Sequence, residues 1–129
     1  MNREIKFRMW HKKSKKMFDV ESINFKDSVL NMWNSIVYTL STFSLDDVIL
    51  MQYIGLHDKN GKEIYEGDIL KSIQWNDIYL VKHIGTAYYL CRKGKNGFNK
   101  ITTWNNAEKS EVIGNMYDNP ELLGGENGI

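Results

Sequence analysis

The stretch Tyr53-Ile54-Gly55-Leu56-His57-Asp58-Lys59-Asn60-Gly61-Lys62-Glu63-Ile64-Tyr65-Glu66-Gly67-Asp68-Ile69 decides the fold. At its centre Asn60-Gly61 supplies the positive φ angles of a tight hairpin turn, so the segments on either side lie antiparallel. Upstream, residues 48–54 form a continuous apolar run short enough for a buried strand. Downstream, Gly67-Asp68 marks a bend, because glycine lets the backbone turn and the Asp carboxylate can accept main-chain N–H bonds. A strand reading therefore extends over residues 64–75.

Toward the C-terminus, Asn76-Asp77 separates that segment from a strand at 78–84. Gly85 leads to 87–91, and Gly94-Lys95-Asn96-Gly97 turns into 98–104. Short strands with a turn signal about every ten residues predict a small SH3-like barrel or a strongly bent antiparallel sheet. Toward the N-terminus, Ile5, Phe7 and Met9 alternate with Lys6, Arg8 and Trp10, the period of a strand with one buried face. The polar run at 11–16 then reads as a turn into a second strand at 17–25. Residues 28–44 carry two patterns. Val29, Met32, Trp33, Ile36, Val37 and Leu40 fit a helical stripe, whereas Ile36-Val37-Tyr38-Thr39 is β-branched and aromatic and Asn34-Ser35 can turn two short strands. The strand reading is the one adopted, and a helix cap at Ser44 is the alternative.

The fold class is thus mainly β, with α+β as the alternative. One domain is expected over residues 1–123, with an N-terminal β-rich subregion at 1–47, a barrel-like subregion at 48–123 and a flexible tail at 124–129. At 129 residues with 42% apolar content the chain can bury a core. The 12% aromatic share leans toward strands. Cys91 is the single cysteine, which excludes an internal disulfide and fits a reducing cytoplasm. No signal-peptide-like start and no run of about 18 apolar residues point to export or a membrane.

The net charge of +1 hides segregation: the balance is +6 over residues 1–16, −6 over 17–68, +5 over 69–104 and −4 over 105–129. The blocks can neutralise each other within the fold or between subunits. Alternatively, the two basic blocks converge into a face for nucleic acid. In that second reading the contacts come from Arg8, Lys12, Lys13, Lys15 and Lys16, and from Arg92, Lys93, Lys95 and Lys100. Aromatic residues interleave with both groups as stacking on single strands requires, although strand parity turns about half of them to the core.

Catalytic constellations are not legible. His11, His57 and His83 have no paired ligand spacing, and no metal or other cofactor is expected. His57-Asp58 could be a base and its orienter, but Asp is expected at the start of a hairpin turn for backbone reasons alone. The carboxylates Asp46, Asp47, Asp58, Glu63, Glu66 and Asp68 lack a fixed-spacing motif, and turn caps and solvated faces account for them. A phosphate-binding loop and a nucleophile elbow are both missing, so enzyme activity is not expected.

Residues 3–10, 51–69 and 112–123 together resemble the YopX family of phage and prophage proteins, in the family's order. The intervening segments 28–45 and 73–104 match it only loosely. The resemblance implies an origin in phages and prophages of Gram-positive bacteria, a host-cytoplasmic location and self-association, and it carries no catalytic residue. Its marker residues Asn60, Gly61, Gly67, Asp68, Gly114, Asn115 and Pro120 read as structural, with Asn119-Pro120 stopping the last element. The expected function is that of a non-enzymatic accessory protein. It would act through protein–protein contacts, as a homo-oligomer or on a host or phage protein, with nucleic-acid binding as the alternative.

Overall fold

Alternation and turn residues translate directly into strands in the computed structural model, which describes residues 4–34, 36, 38–73, 76–94, 97–101 and 104–124. The side chains of residues 34, 99–101 and 105 are outside that description, as are Ser35, Trp75, Lys95 and the tail beyond Gly124. The protein is mostly β and antiparallel, and it divides into two compact units, Glu4–Gln52 and Tyr53 onward.

In the first unit, β1 (Phe7–His11) pairs with β2 (Lys16–Asp19) as the expected hairpin. The other side of β1 pairs with the leading half of β6 (Val48–His57). A second sheet holds β3 (Ser22–Asn24), β4 (Val29–Asn34) and β5 (Thr39–Ser44) in that order. Within 28–44 the described residues form two strands, Val29–Asn34 and Thr39–Ser44, in place of the helical stripe, and Ser35 and Val37 lie outside the described residues. The Ser44 cap is real but short: its hydroxyl accepts the Asp46 N–H at the start of a single 3-10 turn, Leu45–Asp47. Met9, Leu30 and Val48 are buried together, with Phe18, Met32 and Phe43 packed against them.

The β1 pattern needs one correction. Trp10, assigned to the polar face, is buried beside Met9, whereas Ile5, assigned to the core face, is exposed and precedes the strand. Trp10 lies between Met17 and Ile49 of the neighbouring strands, so this central strand is covered on both faces.

In the second unit, the trailing half of β6 pairs with β7 (Glu63–Tyr65). A five-stranded sheet follows in the order β11 (Gly97–Ile101), β10 (Ala87–Gly94), β9 (Ile78–Ile84), β8 (Asp68–Ser72), β12 (Ser110–Asn115). It curls into a half-barrel, the bent-sheet form of the expected architecture. One face buries Leu70, Tyr79, Val81 and Leu90 with Ile64 and Ala107, and the other buries Ile69 and Leu80 with Leu123. Burial on both faces is why Ile69-Leu70 and Tyr79-Leu80-Val81 read as unbroken apolar runs.

The bend expected at Gly67-Asp68 falls at Glu66-Gly67 and separates β7 from β8, and residues 74–75 of the expected segment lie outside the described residues. Two sequence expectations change here. Of the strand expected over 98–104, the part to Ile101 is β11, residues 102–103 lie outside the described residues, and Trp104 instead precedes a one-turn helix, α1 (Asn105–Glu108), which carries Ala107 into the core. Pro120 does not merely stop an element. Its fixed φ suits the first position of a 3-10 turn, Pro120–Leu123, which delivers Leu123 to the sheet.

Candidate functional site

The family-marker residues are occupied by turn chemistry. The β6–β7 loop is built by Asp58, whose carboxylate accepts the N–H groups of Asn60 (2.8 Å), Lys62 (2.9 Å) and, from β12, Val112 (3.0 Å). Burial would push this carboxyl up, but the N–H donors of Val112, Lys62 and Asn60, with the Lys62 charge, outweigh it and hold it below 3.8. Only Gly61 of the Asn-Gly pair adopts positive φ, at 81°, which corrects the expectation of two such residues. At the second bend Asp68 accepts the Tyr65 N–H at 2.8 Å, and Gly67, at φ 89°, donates to Val81 and accepts from Met116.

Asn115 accepts the N–H groups of Tyr117 and Asp118, and Asn119 accepts that of Asn115. Gly114 lies so close to the Asn119 side chain that a Cβ would overlap it. The Asp58 carboxylate thus serves three backbone N–H groups and that of Asp68 serves one, and His57 lies against Tyr53. Among the described residues no three His, Cys, Asp or Glu side chains gather as metal ligands.

The candidate nucleic-acid residues separate into two groups of different character. At the β1–β2 tip, Lys12, Lys13, Lys15 and Lys16 are exposed. The turn is closed by the Lys15 N–H on the His11 carbonyl (2.8 Å) and by His11 Nδ1 with the Ser14 hydroxyl (2.6 Å). Lys12 is tied down, its N–H to the Asp47 carbonyl and its Nζ to that of Asp46. Arg8 is half-buried in mid-strand, opposite Asp19 and Met51, away from that tip.

On β10 the neighbours Arg92 and Lys93 take opposite faces by strand parity. Arg92 pairs with Tyr79, whose hydroxyl is pushed up by burial and then by the charge and hydrogen bond of Asp77, with the Arg92 charge opposing. Lys93 pairs with Phe98 on the other face. The structure does not gather Arg92 and Lys93 into one patch, and Lys95 and the Lys100 side chain lie outside the described residues.

An apolar surface that sequence reasoning missed lies at the β4–β5 tip. Trp33 is 49% exposed, Ile36 86%, Tyr38 77% and Leu40 51%. Trp33 and Leu40 are direct cross-strand partners. Tyr38 sits at φ 54°, a region that costs an ordinary side chain roughly 1–2 kcal/mol. Lone exposed apolar residues are ordinary, but four within eight positions at one hairpin end form a patch. The available signal was Ile36-Val37-Tyr38 placed on a turn that Asn34-Ser35 had already marked.

The fold and surfaces define a two-unit antiparallel β protein that presents one basic and one apolar hairpin tip. The chain belongs to the YopX family: the family model described as YopX protein matches residues 6–124. Among solved structures it is similar to protein EF1440 from Enterococcus faecalis, at 24% identity and a TM-score of 0.65, covering 95% of this chain and 99% of that one. It is also similar to yopX from Bacillus subtilis, at 20% identity and a TM-score of 0.50, covering 93% and 96% respectively. No curated protein matches the chain. These likenesses establish the fold. Among the described residues no helix is long and apolar enough to cross a membrane.

Proposed function

We propose that this protein is a non-enzymatic phage or prophage accessory protein of the host cytoplasm that acts by binding protein through the β4–β5 tip. The observation that carries the reading is the exposed set Trp33, Ile36, Tyr38 and Leu40, with Tyr38 kept in a backbone region where glycine would be easier. Each such side chain is worth roughly 1.5–3 kcal/mol when fully buried. Covering all four would offset part of the freedom lost on association. Membership of the family supports the phage setting. The buried thiol of Cys91 suits a reducing compartment.

The test is a pull-down from infected or lysogenic host cells, with and without nuclease, using the native chain and a Trp33→Glu/Leu40→Glu variant. A protein retained by the native chain and lost by the variant supports the reading. Equal retention by both, or retention that nuclease abolishes, overturns it.

A second reading, nucleic-acid binding, is favoured by the exposed Lys13, Lys15 and Lys16 at the β1–β2 tip. It predicts affinity for DNA or RNA that falls steeply with salt. No mobility shift at low salt with micromolar protein removes it.

A further inference from the structure

The β3–β4–β5 sheet ends at β5, and the chemistry of that edge differs from every other described edge. Natural sheets protect open edges with charge, proline, bulges or brevity. At the margins of the other sheets, β2 carries Lys16 and Asp19, β7 carries Glu63, β11 carries Lys100 and β12 carries Glu111, and β3 is only three residues long. β5 reads Thr39-Leu40-Ser41-Thr42-Phe43-Ser44, six residues with no charge, no proline and a regular register to β4.

Its outward hydrogen-bonding groups can be assigned. The Leu45 N–H donates to the Ser28 carbonyl at 2.9 Å, one step beyond the Val29–Ser44 pair. Bonded pairs alternate along an antiparallel ladder. Phe43, Ser41 and Thr39 therefore bond to β4, and Leu40, Thr42 and Ser44 turn their N–H and C=O groups to the open edge. The Asn31 carbonyl, in the pair with Thr42, accordingly accepts from Glu21 on the β3 side.

Resting on the protein-binding reading, we infer that the partner is a second copy of this chain, joined by antiparallel pairing of β5 with β5 about a two-fold axis through Ser41. That axis sets Leu40 opposite Thr42 of the second copy, and the reverse, so each outward group meets one that is also outward and each pair exchanges two backbone bonds. An uncharged strand can face itself without like-charge repulsion, and the charged edges cannot do so as well. The axis also keeps the Trp33–Leu40 face on the same side in both copies. Leu40 then lies diagonally beside the second copy's Leu40, at about 7–8 Å, with a Trp33 flanking each.

The experiment measures mass by light scattering of the full chain at graded concentrations. The expected result is a dimer that Thr42→Pro and Thr42→Lys each convert to monomer, with far-UV circular dichroism unchanged. Both variants lose the Thr42 hydroxyl that donates to Asn31 Oδ1 at 2.6 Å, but neither removes a backbone bond to β4; proline takes away an outward N–H, and lysine adds charge to the edge. Ser41→Cys is expected to form a covalent dimer under mild oxidation, because the self-paired position is a close, non-bonded pair within disulfide reach. Lys13→Cys, on the basic tip, stays unlinked. A native dimer indifferent to both Thr42 variants and uncrosslinked at Ser41 overturns the inference. So does a native monomer. A monomer that still retains a host protein through the β4–β5 tip would leave the protein-binding reading standing, and a monomer that retains nothing would remove both.

Discussion

The β6–β7 and β4–β5 hairpins solve the same problem with opposite chemistry. In the β6–β7 loop the positive φ falls to Gly61, and the Asp58 carboxylate serves three N–H groups, including one from β12. In the β4–β5 loop the positive φ falls to Tyr38, and the tip exposes apolar side chains. The first loop uses its side chains internally and is built for folding. The second places a strained residue beside an exposed apolar surface. The loop that carries the family likeness has little left to offer a partner, whereas the β4–β5 tip holds the surface proposed above to bind one.

The strongest way to break this contrast is Asp58→Ala. It leaves three N–H donors near β12 without their carboxylate and is expected to cost about 3 kcal/mol, read from the urea midpoint at constant slope. The effect depends on pH. The folded-state pKa of Asp58 is depressed, so its stabilisation is fully present above 3.8 and is lost as pH falls through the lower folded value. The stability gap between native protein and Asp58→Asn should therefore narrow as the solution is acidified from neutrality to below 3.8. A gap that stays constant would show that the carboxylate charge contributes nothing.

A smaller loss is expected at Gly114→Ala. The added methyl displaces the Asn119 side chain from the Asn115 N–H and loosens the approach to the Pro120–Leu123 turn, at about 1–2 kcal/mol. Thermal melting with no detectable change would show that Asn119 yields freely.

Tyr38→Gly sharpens the contrast from the other side. Relief of the left-handed backbone is partly offset by greater freedom in the unfolded chain, for a net stabilisation of about 0.5–1 kcal/mol. The same variant should weaken binding at the tip. Greater stability with undiminished binding would detach Tyr38 from function. The smallest effect is expected for Lys13, Lys15 and Lys16 changed together to Ala, within about 0.5 kcal/mol in stability, because exposed charges contribute little. Any loss there should appear only as a change in the salt dependence of nucleic-acid binding.

Much of the fold was legible because its signals are local. The β1–β2 hairpin, the Gly67-Asp68 bend and the β9 and β10 strands follow from alternation and from residues suited to turns. The errors have physical causes of the same kind. Trp10 misled because a strand covered on both faces loses its period. α1 was missed because four residues are too few to show a helical period. Pro120 was read as a stop although proline also suits the first position of a turn.

The candidate site was less legible. Arg92 and Lys93 look like a basic cluster in sequence, but successive side chains on a strand point apart. Trp33, Ile36 and Leu40 fitted a helical stripe as well as strands, and nothing local says whether an apolar face will be covered.

The sequence by itself determined that this chain is antiparallel β, where it turns, and that Asn60-Gly61 and Gly67-Asp68 are backbone devices, because φ preference and side-chain alternation belong to each residue and its neighbours. Only the tertiary structure decided that Asp58 reaches across to Val112, that Trp10 is buried, and that β5 is, among the described residues, the last strand of its sheet, with Leu40 on it opposite Trp33 of β4. Coverage and pairing depend on segments far away in the chain, and their contributions cannot be assigned to any single stretch.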